Sequence, residues 1–184
     1  MADSQTAIAL LQDGKAQGQW VLDPASTTVE FRVKHFWRLI TVRGWFERVE
    51  GAGTVAPDGS FSGELRIHAD SLNTKNKQRD RHLRSADFFD VERHPQVVLR
   101  VTGAAPADGD EIACQGTLDA AGRSQEVSFT VRAELAGPDA VTLRAGLIVD
   151  RSGYGMTWSP LRMAAMEATG SVVARFNRAV TPST

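Results

Sequence analysis

Ser26-Thr-Thr-Val-Glu-Phe-Arg-Val-Lys-His35 alternates without a fault. Val29, Phe31, Val33 and His35 fall on one side, and Thr28, Glu30, Arg32 and Lys34 on the other. A period of two is the mark of a strand with one face in a core and one in water. The pattern returns along the chain. Phe61 to Ala69 sets Phe61, Leu65 and Ile67 against Ser62, Glu64 and Arg66. Gln125 to Ala133 sets Val127, Phe129 and Val131 against Glu126, Ser128 and Thr130. Ala140 to Asp150 carries Val141, Leu143, Ala145, Leu147 and Val149 at the same spacing. Further strands are expected at Thr41 to Val49, Gln96 to Val101, Glu111 to Leu118 and Thr169 to Asn177. Turn signals at Pro57-Asp-Gly59, Ala107-Asp-Gly-Asp110, Ala120-Ala-Gly122 and Gly137-Pro-Asp139 divide them. About eight short strands with such turns predict an all-β sandwich or barrel.

Two stretches break the rhythm. Asn76 to Asp90 has helical spacing, with Leu83, Ala86 and Phe89 three apart, and Phe88 and Phe89 are placed to dock it on the sheet. Residues 151–168 form a long connection with Met156, Trp158, Met163 and Met166, which either fill gaps or offer an adaptable apolar surface. One helix cannot cover eight apolar strand faces. Curling the sheet into an antiparallel barrel buries them all and removes its edges. Small residues fall at inner positions: Gly44, Gly63, Ala69, Cys114, Gly116, Ala133 and Ala145. They either leave a cavity or are matched by bulky side chains opposite. Residues 1–19 read as an appendage with a short helix over Gln5 to Gln12, and 20–184 as the barrel domain.

The chain has 184 residues, 42% of them hydrophobic, and a formal net charge of −1. That balance argues against disorder, a membrane span and nucleic-acid binding. One cysteine, Cys114, rules out an intrachain disulfide and a cysteine-based zinc site. The histidines His35, His68, His82 and His94 form no HxH or HExxH pattern, so no metal or other cofactor is expected. No GxSxG elbow, carboxylate pair or dinucleotide fingerprint points to an enzyme. The first residues, with Asp3 and a short apolar run ending at Gln12, lack the build of a secretory signal, and a cytoplasmic location is expected.

Arg79-Asp-Arg-His-Leu-Arg-Ser-Ala-Asp-Phe-Phe-Asp90 resembles the YceI-like polyisoprenoid-binding family. So do the opening Trp20 to His35, the Gly44-x-Phe46 pattern and Asp150-Arg-Ser-Gly-Tyr-Gly155. The resemblance implies an extended, lipocalin-like, eight-stranded antiparallel barrel with one helix near its mouth, and often a homodimer. It also implies a long-chain isoprenoid or fatty-acid-like ligand inside. The apolar contacts are then expected from Val29, Phe31, Val33, Leu65, Ile67, Leu99, Val127, Phe129, Val131, Leu143 and Leu147. The basic cluster Lys75, Lys77, Arg79, Arg81 and Arg84 is either a solvated helix face or a cationic rim for an anionic headgroup. On the second reading Arg79, Arg81 and Arg84 meet the head, with His35 at a strand end beside them. The competing readings are a filled barrel that serves protein interaction and, behind it, a lipid-modifying enzyme.

Overall fold

The computed structural model describes residues 9, 14–35, 40–159 and 164–179. Among them are ten strands: β1 (Gly18–His35), β2 (Ile40–Phe46), β3 (Val49–Val55), β4 (Phe61–His68), β5 (Leu72–Asn73), β6 (Gln96–Pro106), β7 (Glu111–Ala120), β8 (Arg123–Leu135), β9 (Ala140–Asp150) and β10 (Ala164–Arg178). One helix, α1 (Lys77–Arg84), and 3-10 turns at Ala69–Ser71 and Arg151–Tyr154 complete them. The N-terminal helix expected over Gln5 to Gln12 lies outside the described residues apart from Ala9, and Trp37 and Met163 lie outside them altogether.

Eight strands form a closed antiparallel ring in the order β1-β3-β4-β6-β7-β8-β9-β10, with β10 pairing back onto β1. The expected all-β barrel is the fold found. Strand β1 reaches further back than the alternation starting at Ser26 indicated. Its first residues, Gly18 to Val21, pair with β3, and its last seven pair with β2. A bulge between Asp23 and Thr28 divides the two parts. Asp23 organises it: its carboxylate accepts from Ala25 N and Ser26 Oγ, and its carbonyl accepts from Thr27 Oγ1. The bulge shifts the alternation, so Trp20 and Leu22 are buried before it and Val29 after it. Strands β2 and β5 extend the sheet beyond the ring.

Two glycines are set by close approach. A Cβ on Gly116 would stand 1.9 Å from the Arg100 carbonyl, beside the bulge in β6. A Cβ on Gly44 would meet the Phe31 ring at 2.4 Å. Phe31 stacks instead on Phe46 at 5.5 Å, and Phe46 meets Phe89 edge-on at 5.8 Å.

This aromatic row docks α1 against one end of the barrel. Asn76 caps the helix by accepting from Arg79 N. Helical hydrogen bonding ends at Arg84, short of the expected Asp90, because the chain turns at Ser85 and Asp90 takes a positive φ. Phe88 is buried between His82, Trp158 and the Arg151 guanidinium. His82 also meets Asp87 at 3.0 Å, and His94 sits over Gly122 in a loop contact.

Candidate ligand cavity

The inward faces of the ring do not fill it evenly. Around α1 the interior is packed by Val29, Val49, Ile67, Phe88, Val97, Leu118, Tyr154 and Met156, with Leu83, Phe89, Val127, Leu147 and Val149 against them. Toward the opposite end the wall retreats and encloses a cavity of about 170 Å³. Its lining is apolar, built from Leu65, Leu99, Ile112, Cys114, Phe129, Val131, Leu143 and neighbours from β1, β3 and β10. Ala133, Ala145 and Ala174 leave room in its wall, while the Phe61 ring lies over Gly53 and Gly63. Of the small residues noted in the sequence, Gly63, Cys114, Ala133 and Ala145 line it, whereas Gly44, Ala69 and Gly116 serve packing elsewhere.

The cavity reaches the barrel end at Ala16, Leu135, Pro138 and Arg178. Arg178 binds that end together. Its Nε donates to Asp139 at 3.0 Å, Nη1 to the Gln17 carbonyl at 2.6 Å and Nη2 to the Lys15 carbonyl at 2.8 Å. The guanidinium lies 4.6 Å from the Trp20 ring centre, and Trp20 Nε1 donates to Ala16 at 2.9 Å. One side chain thus ties the turn at 14–17 and the β8–β9 loop to the rim.

The sequence-expected residues divide. Leu65, Leu99, Phe129, Val131 and Leu143 line the cavity. Val29, Ile67, Val127 and Leu147 belong to the packed half. Phe31 packs on Phe46, and Val33, between Val42 of β2 and Ala168 of β10, is not in the cavity lining. The His35 side chain lies outside the described residues. Trp20, Val55, Phe61, Ile112, Val141 and Phe176 line the cavity without having been expected as ligand contacts, and so does Cys114, noted in the sequence only as a small inner residue. Ile112 and Val141 stood on the inner face of the alternation, which was their available signal; Trp20 was hidden by the bulge.

Arg79, Arg81 and Arg84 are not among the residues that line the cavity. Arg79 Nε donates to Thr74 Oγ1 and its Nη2 to the Thr74 carbonyl, both at 2.8 Å. Buried Asp80 accepts from Thr74 N at 3.0 Å and from Thr74 Oγ1. Arg84 donates to the Asp70 carbonyl at 2.8 Å and the Leu72 carbonyl at 2.6 Å. These residues fasten α1 to β5 and the 3-10 turn before it. Arg81 is exposed beside a polar groove that shares no lining residue with the cavity. Met156 is buried in the packed half and Trp158 half covers His82.

Two interior groups are shifted by their burial. Burial pushes the Cys114 thiol up to about 11. Burial, and then the Asp119 charge, push the Tyr154 hydroxyl up to about 12. The Tyr154 hydroxyl has no hydrogen-bond partner among the described residues. No cluster of three or more metal-ligating side chains occurs among the described residues.

Residues 20–177 match the YceI-like domain. Protein YceI of Escherichia coli O157:H7 is 32% identical over 114 residues, covering 59% of this chain and 56% of that protein. The chain thus spans little more than half the length of the curated relatives it matches. Burkholderia cenocepacia BcnA superposes with a TM-score of 0.76 at 20% identity, covering 84% of this chain and 98% of that one. A polyisoprenoid-binding domain from Saccharophagus degradans gives 0.73 at 15% identity, covering 87% and 98%. Such likenesses establish the shared barrel, and the match over residues 20–177 establishes the kinship: the chain belongs to the YceI-like family.

Proposed function

We propose that this protein binds an isoprenoid-like amphiphile, with the apolar chain inside the barrel and the polar head at the end marked by Arg178. The observation that carries this reading is the apolar cavity running from mid-barrel to that rim. The Saccharophagus domain, described as polyisoprenoid-binding, supports it. Apolar burial would dominate affinity, at about 0.8 kcal/mol gross per methylene, with ordering costs subtracted. Arg79 and Arg84, spent on backbone and threonine oxygens, are not offered to the ligand on this reading.

The test is binding of a prenol, followed by quenching of tryptophan fluorescence, because Trp20 lines the cavity. The native chain should bind saturably. Phe129→Arg, which sets a charge on the cavity wall, should abolish binding while circular dichroism stays native. Equal binding by both proteins would refute the reading.

A further inference from the structure

On four strands of the ring the cavity lining stops part-way along. On β8 it takes in Phe129, Val131, Ala133 and Leu135 but not Val127. On β9 it takes in Val141, Leu143 and Ala145 but not Leu147. On β4 it stops at Leu65 short of Ile67, and on β7 at Cys114 short of Leu118. On β4, β8 and β9 the excluded residue is the next one inward on the same face; on β7 Gly116, which has no side chain, stands before Leu118, and all four excluded residues pack in the core outside the cavity lining. They form a floor across the barrel. Behind it Phe46 and Phe89 join edge to face and Leu83 of α1 packs on the core, so among the described residues the cavity has a closed inner end.

From Phe129 to Leu135 is six residue steps. At about 3.3 Å a step and a strand tilt of about 40°, the depth is roughly 15 Å along the axis. That is about half the ~30 Å thickness of a bilayer's hydrocarbon core. We infer that Ile67, Leu118, Val127 and Leu147 act as a chain-length stop. The site takes an apolar chain, or the head-proximal part of one, no longer than about one membrane leaflet. The inference rests on the binding function proposed above and adds a limit to it.

The experiment measures affinities for unbranched primary alcohols and prenols of increasing length, native chain against floor variants. For the native chain, affinity should climb about fourfold per added methylene until the tube is full, and then level off. Leu147→Ala should move the break to longer chains. Ala145→Leu, which narrows the tube from its wall, should move it to shorter ones and does not depend on cavity formation in the packed core. A continued rise with no break, or a break that neither variant moves, would overturn the stop while leaving the binding function standing. Absence of binding at every length would overturn the binding function itself.

Discussion

Replacing Arg84 separates a structural role for the helix cluster from a headgroup role. In the native fold its guanidinium donates to two carbonyls, Asp70 at 2.8 Å and Leu72 at 2.6 Å. Hydrogen bonds from a charged donor contribute about 1.5–3 kcal/mol each when shielded. The bond to Asp70 is exposed, so in Arg84→Ala water replaces most of it; the bond to Leu72 is partly buried and is not so readily replaced. A loss of about 2 kcal/mol is expected, nearer the value of one bond than of two. With a urea slope of about 2 kcal/mol/M, the midpoint should fall by about 1 M with the slope unchanged. Arg84→Lys, with one compact donor group in place of the fork, should recover part of the loss. Under conditions where both variants remain folded, prenol and prenyl-phosphate affinities should match the native protein's. An unshifted urea midpoint together with a selective loss of phosphate-headed ligands would refute this reasoning and return the cluster to the ligand.

Other expectations follow from the same structure. Glu64 bridges Arg66 and Arg100, and Arg100 also meets Asp119, an ion-pair ladder over β4, β6 and β7. The Arg66 hydrogen bond holds the Glu64 carboxyl below its ordinary 4.5, and a bond from Ser124, then Arg100, holds Asp119 below 3.8. Because both are depressed in the fold, their stabilisation is full above those ordinary values and is lost as pH falls through the lower folded ones. The urea midpoint should therefore drop in acid, and Arg100→Gln should shallow that drop; an unchanged slope would contradict the ladder. Tyr154→Phe removes a buried hydroxyl without a partner among the described residues and should leave stability unchanged or raise it by up to about 1 kcal/mol; a loss of that size in urea unfolding would reveal a partner. Arg178→Ala unfastens the turn at 14–17 from the rim, so stopped-flow should show a bound apolar dye leaving several-fold faster with equilibrium affinity little changed. A proportional loss of the dye's affinity would mean that Arg178 shapes the cavity wall and does not only fasten its rim.

The barrel was legible because alternation is a local signal. Phe61 to Ala69, Gln125 to Ala133 and Ala140 to Asp150 could be phased from their own residues, and the structure keeps each as a strand. The bulge at Asp23 to Thr28 was not legible, because it is held by side-chain hydrogen bonds that cancel the alternation across it. The site was half legible. Inwardness could be read for Leu65 and Ile67 alike, but which of them faces a cavity and which a packed floor depends on residues brought opposite from other strands. The arginines misled for a physical reason. A run of like charges shows where donors are dense, not that the carbonyls of Asp70 and Leu72 and the oxygens of Thr74 stand within reach of them.

The most direct measurement is a crystal structure of the protein saturated with a prenol carrying a heavy-atom tag at its far end. The chain is expected between Leu65, Leu99, Cys114, Phe129, Val131 and Leu143, the head beside Arg178 and the tag at the level of Ile67 and Leu147. A chain lying in the groove beside Arg81 and Arg84, with the cavity unentered, would contradict this placement.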